Sequence, residues 1–123
     1  MKPLLLSLLF ATAAALAPAA DTPSIAGKWN IHSSISGYEG DLDCAFSQNE
    51  KEVSGTCKGE MGVVDVTGRV DEKNVTLQYK TDYNGDELTL VYTGTLESPA
   101  KFAGTVRVEP MAVEGDFTAA QSK

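Results

Sequence analysis

Glycine returns five times on one face of strand-like segments. Gly55, Gly68, Gly94, Gly104 and Gly115 each stand two residues before an apolar or cysteine side chain: Cys57, Val70, Leu96, Val106 and Phe117. Glycine weakens an isolated strand. Its return on one face therefore predicts sheet that coils tightly or makes room for large neighbours. Eight segments carry the two-residue period of a half-buried strand. They are Lys28 to Ser36, Asp41 to Ser47, Glu52 to Lys58, Val63 to Val70, Asn74 to Thr81, Glu87 to Leu96, Lys101 to Glu109 and Ala112 to Ala119. No segment after the N-terminal leader shows a helical stripe. The connections are short, so consecutive strands are expected to be antiparallel neighbours. Asn84-Gly85 is the clearest turn, a type I′ hairpin signal. Closure removes both vulnerable edges of such a sheet. The expected fold is all-β, an eight-stranded antiparallel up-and-down barrel, with a two-sheet sandwich as the alternative.

The first twenty residues read as a leader rather than as part of the barrel. Met1-Lys2 is a short basic start, Leu4 to Leu16 is an apolar run, and Ala17-Pro18-Ala19-Ala20 offers small residues for cleavage. This is the layout of a secretory signal peptide, and the run is short for a membrane span. The expectation is a signal peptide over residues 1–20, a single barrel domain over 21–123, and export to the periplasm or beyond. The chain's formal net charge is −7, and loss of Lys2 with the leader makes the remainder more acidic. An acidic domain repels nucleic acid and anionic membrane surfaces.

Two cysteines, Cys44 and Cys57, in an exported chain predict a disulfide. Gln48 to Glu52 is a polar turn stretch. Pairing Gln48 with Val53 sets Phe46 opposite Gly55 and Cys44 opposite Cys57, close enough to bridge. Metal binding finds little support, since His32 is the only histidine. Asp82, Asn84 and Asp86 have the spacing of a calcium-loop start, but Glu87 stands where a glycine is required, and an Asn-Gly hairpin explains the stretch more simply. Asn74-Val75-Thr76 matches a glycosylation acceptor inside an expected strand and reads as coincidence. No metal or cofactor is implied.

Gly27-Lys28-Trp29 opens the first strand as Gly-x-Trp, which resembles the calycin barrels, that is, lipocalins, avidins and their relatives. Val53-Ser54-Gly55-Thr56-Cys57 and Val66-Thr67-Gly68-Arg69-Val70 resemble paired strands of avidins. Gly115-Asp116-Phe117-Thr118-Ala119 is similar to the last strand of small secreted bacterial barrels of unassigned function. The resemblance implies an up-and-down barrel with Trp29 at its closed end. It does not carry biotin binding over, because avidins line that site with several tryptophans and this chain has one.

Catalysis by a triad has no basis in the residues. His32 alternates outward, no serine lies in a nucleophile elbow, and the thiols are expected to be oxidised. The inward face is more informative. Phe46, Tyr79, Tyr92, Phe102 and Phe117 all point inward with the glycines, and an eight-stranded barrel is just wide enough to be filled or to hold one small ligand. The reading is a filled core at the Trp29 end and a shallow pocket at the other. Ser33, Phe46, Tyr79, Thr81, Tyr92 and Phe117 are the candidate ligand-binding residues, for an apolar or amphipathic small molecule. Two alternatives stand beside it. One is a protein-binding inhibitor similar to secreted metalloprotease inhibitors, acting through loops or through Asp21 to Ile25, although that stretch lacks their Ser-Leu-Arg-like start. The other is a barrel cyclase or isomerase with Tyr79 or Tyr92 as acid.

Overall fold

The computed structural model describes residues 22–122 apart from Met61. The proposed leader lies outside the described residues. Eight strands follow one another: β1 Gly27–Ile35, β2 Tyr38–Asn49, β3 Glu52–Gly59, β4 Gly62–Asp71, β5 Asn74–Tyr83, β6 Asp86–Ser98, β7 Lys101–Glu109 and β8 Val113–Gln121. Each pairs antiparallel with the next, and β1 pairs with β8 from Trp29↔Gln121 to Ile35↔Gly115. That last ladder closes the barrel and decides against the sandwich.

The β2–β3 register is the one expected from sequence, with Gln48 opposite Val53, Phe46 opposite Gly55 and Cys44 opposite Cys57. The two cysteines form a disulfide across buried, directly opposed positions, with a Cα–Cα distance of 4.0 Å. A loop this short is stabilised by roughly 3 kcal/mol on a chain-entropy account. At the β5–β6 turn Asn84 and Gly85 both have positive φ, 54° and 86°, as a type I′ hairpin requires. The same geometry recurs at Ser36 and Gly37, with φ of 53° and 87°. β2 therefore begins at Tyr38 rather than at Asp41. Its first four residues are all exposed, so they carry no alternation to read.

The recurrent glycines are places where backbones meet. A Cβ added at Gly55, Gly68, Gly104 or Gly115 would fall on the carbonyl oxygen of Ala45, Thr76, Thr93 or Ser34 on the adjacent strand. At Gly94 it would lie 2.6 Å from the Ala103 oxygen and 2.9 Å from the Phe117 ring. Coiling is thus their shared role, and seating an aromatic ring is an added role of Gly94. A register shift between Leu96 and Ser98 bends β6 further.

Trp29 and Phe102 are fully buried, with ring centroids 5.0 Å apart. Phe102 meets Phe117 at 5.9 Å, and Phe117 meets Tyr92 edge-on at 5.1 Å. Tyr92 stacks on Tyr79 at 6.0 Å. These five rings form a column along the interior. Its lower end is sealed by the segment before β1. Ile25 is fully buried, and its carbonyl accepts a 2.8 Å hydrogen bond from Trp29 Nε1. Gln48 ties the segment down: Oε1 accepts from the Ile25 N–H, and Nε2 donates to the Pro23 carbonyl, each at 2.8 Å.

Substituting Gly68→Ala or Gly104→Ala forces two strands apart and should cost roughly 2 kcal/mol or more in urea unfolding. Gly40→Ala is the control, because its nearest neighbour is Ser33 Oγ at 3.8 Å, and it should stay within about 0.5 kcal/mol. Equal effects at all three positions would contradict the coiling role.

Candidate functional site

The end of the barrel opposite Trp29 is set by the β1–β2, β3–β4, β5–β6 and β7–β8 turns. There the strands diverge around a cavity of about 210 Å³. Ile35, Leu42, Val64 and Leu90 form apolar walls, and Ser33, Tyr79, Thr81 and Tyr92 contribute hydroxyls. Tyr38, Gly40 and Glu60 stand at the rim, while the Glu39 and Asp41 side chains turn to the outer face, where they meet His32. Beneath the tyrosines, Ile31, Leu42, Cys57, Val66 and Leu77 pack without room for a water molecule. The cavity is therefore a cup with a tyrosine floor, not a channel.

Four of the six expected ligand-binding residues, Ser33, Tyr79, Thr81 and Tyr92, come together in this cup. Phe46 and Phe117 do not line it. Phe117 supports the Tyr92 ring from below, and Phe46 lies farther down, opposite Gly27 and Gly55. Sequence reasoning missed the rim. Tyr38 and Gly40 face the cup from the part of β2 whose residues are all exposed, so burial left no alternation there to read. The exposed large hydrophobics among the described residues, Tyr38, Val63, Tyr83 and Met111, all belong to this same end.

The floor is chemically quiet. The Tyr79 and Tyr92 hydroxyls are 3.5 Å apart. Burial, with lesser effects from Tyr79, raises the Tyr92 phenol well above its ordinary range, while a hydrogen bond from Ser33 works the other way. Burial likewise raises Tyr79, and its hydrogen bond with Tyr92 partly offsets this. Both phenols are therefore neutral hydrogen-bonding groups near neutral pH. That suits holding a ligand better than transferring a proton, since a general acid works best with a pKa near the operating pH.

His32 lies on the outer face of β1, as alternation predicts. Nδ1 is 2.9 Å from Asp41 Oδ1 and Nε2 is 2.7 Å from Glu39 Oε1. The hydrogen bond to Asp41, then that to Glu39, raises the imidazole pKa above 6.5. Hydrogen bonds from Ser34 and then His32 lower that of Glu39. Among the described residues no group of three or more His, Cys, Asp or Glu side chains is arranged to hold a metal ion. None of their helices is long and apolar enough to cross a membrane.

No known protein family and no curated protein matches this chain. Solved structures do. A redesigned beta barrel superposes with a TM-score of 0.67 at 11% identity, over 80% of this chain and 92% of its own. The redesigned barrel mFAP1, bound to DFHBI, gives 0.58 at 12% identity, over 80% and 94%. A related redesign, mFAP0, also bound to DFHBI, gives 0.57 at 12%, over 79% and 98%. At these identities the likeness is one of fold: an eight-stranded barrel of this shape.

The folded-state pKa of Tyr92 is above its unfolded value of 10.0. The folded protein thus keeps a proton that the unfolded chain gives up at alkaline pH. This contribution to stability is present in full below pH 10 and is lost as the pH rises above it, by up to about 1.4 kcal/mol per pH unit. Urea unfolding between pH 9 and 11.5 should show the loss, and Tyr92→Phe should flatten the profile. An unchanged profile in the variant would remove Tyr92 as its cause.

Proposed function

We propose that this protein is an exported carrier or receptor barrel that holds one small apolar or amphipathic molecule in the cup above Tyr79 and Tyr92. The observation that carries the reading is the cup itself: apolar walls, a few convergent hydroxyls and a closed floor, which is how small-molecule sites are built. An apolar cavity of about 150 Å³ holds a benzene ring, so about 210 Å³ suits a one- or two-ring compound whose far end reaches the rim. Ser33, Tyr79, Thr81 and Tyr92 would contact the ligand directly, and Phe117 would act by supporting Tyr92. Barrels of the same shape hold DFHBI in mFAP1 and mFAP0, which supports the reading by analogy of architecture.

Export rests on the leader. Residues 1–20 have the layout of a signal peptide, leaving residues 21–123 as the barrel domain. The disulfide points to a non-reducing compartment, in agreement with that reading. The Gly-x-Trp start, with Trp29 under a sealed end, supports kinship with the calycin barrels. An inhibitor working through its N-terminal arm gains nothing from the structure, because Pro23 and Ile25 are held by Gln48 and Ile25 is buried.

A neutral, environment-sensitive naphthalene dye such as Prodan tests the reading. It should give a saturable, blue-shifted signal that competitors displace. Val64→Trp, which fills the cup, should abolish the signal while near-UV circular dichroism remains native. An undiminished signal in that variant would place the dye elsewhere and overturn the assignment of the cup.

A further inference from the structure

We propose that the β5–β6 hairpin is a flap that closes on a bound ligand by zipping up the seam between β4 and β5. The inference rests on the reading of the cup as a ligand site. It adds how that site is shut and a further contact residue, Tyr83.

β4 and β5 have 10 residues each, yet their ladder runs only from Asp71↔Asn74 to Thr67↔Gln78. Beyond it, Gly62 to Val66 and Tyr79 to Tyr83 continue to the open end without pairing with each other. The hairpin's other side is free as well. The β6–β7 ladder ends at Thr89↔Glu109 and leaves Asp86 to Leu88 without a partner on β7. The β1–β2 hairpin differs, because β8 supports it up to Ile35↔Gly115, at the last residue of β1. A hairpin with no paired neighbour on either side belongs to the least stable part of a fold. The cup reaches this seam, with Gly62 and Val64 on one side and Tyr79 and Thr81 on the other.

Both strands carry what a longer ladder needs. Hydrogen-bonded pairs alternate along an antiparallel ladder. Counted from the β4–β5 turn, they fall at Asp71↔Asn74, Arg69↔Thr76 and Thr67↔Gln78. The next two in this register are Asp65 with Lys80 and Val63 with Asp82. These four residues turn their N–H and C=O groups into the seam, and such a row is a template for pairing. Asp65 and Lys80 are opposite in charge, exposed and directly across from each other in that register. Neither has an ion pair among the described residues. One step further, Gly62 meets Tyr83. Glycine stands opposite a ring elsewhere in this barrel, at Phe46↔Gly55 and Gly104↔Phe117. Nothing lies within 4 Å of a Cβ placed on Gly62, and Tyr83 is half exposed, so the seam has room to close. Tyr83 shares the inward side of β5 with Tyr79 and Thr81, so closure lays its ring over the cup. A ligand shifts such an equilibrium only through contacts made in one state, and the Tyr83 ring supplies one that exists only when the flap is shut.

Amide hydrogen exchange with and without saturating Prodan tests the flap. In the free protein the Asp65, Lys80 and Asp82 amides should exchange readily while those of Thr67 and Gln78 are protected. Bound dye should slow the first three at least tenfold, in proportion to the population of the closed state. Lys80→Glu sets like charges across the seam and should speed dye release roughly threefold, the scale of one exposed cross-strand charge pair. Adding Asp65→Lys to Lys80→Glu should restore the slow release. Prodan is neutral, so it does not answer to these charges directly. Tyr83→Ala should also speed release. Protection already present in the free protein, no added protection with dye bound, a charge swap that fails to restore the rate, or unchanged release from Tyr83→Ala would overturn the inference and leave the cup as a ligand site. Absence of saturable dye binding would overturn both.

Discussion

At Gly55, Gly68, Gly104 and Gly115 the carbonyl oxygen of the next strand occupies the space a Cβ would take. The rest of the barrel depends on this contact. Strands that approach so closely can coil sharply, and sharp coiling lets eight strands of 8 to 13 residues close with β1 on β8. Any side chain at these positions would hold the strands apart and oppose closure. The positions are spread over β3, β4, β7 and β8, so the curvature is distributed around the wall.

A tightly coiled wall leaves a narrow interior, and five rings fill most of it. The column runs from Trp29 through Phe102, Phe117 and Tyr92 to Tyr79. Its composition changes along the axis. The lower members are hydrocarbon rings or, in Trp29, a donor satisfied by the Ile25 carbonyl. The upper two carry hydroxyls that need partners, and they lie where the wall opens. The column therefore seals one end and floors a cup at the other. Ile25 and Gln48 complete the seal, because a buried indole N–H needs its acceptor and the N-terminal segment supplies it.

Much of this architecture was readable because the barrel's inner face imposes a period of two. The eight strands, the Cys44–Cys57 register and the Asn84-Gly85 turn all follow from that period and from turn chemistry. The start of β2 was not readable. Tyr38 to Asp41 are exposed on both faces, so burial selects no alternation there. The same stretch supplies Tyr38 and Gly40 at the edge of the cup, so the rim was hidden for the same reason. Gln48 looked like a turn residue and instead fastens the N-terminal segment, a role that depends on a contact with residues far away in sequence. Whether the inward rings filled the barrel or left space was also beyond sequence alone. Phe46 and Phe117 share the inward face with Tyr79 and Tyr92, and only height along the axis separates lining from support.

The central claim is a barrel packed solid from Trp29 up to the tyrosine pair and open only above it. Amide and indole chemical shifts recorded while a small neutral aromatic such as indole is added would test this most directly. The account predicts shifts at Ser33, Thr81 and Leu90, and none at the Trp29 Nε1–H. Movement of the Trp29 indole signal, or shifts confined to outward-facing positions, would contradict it.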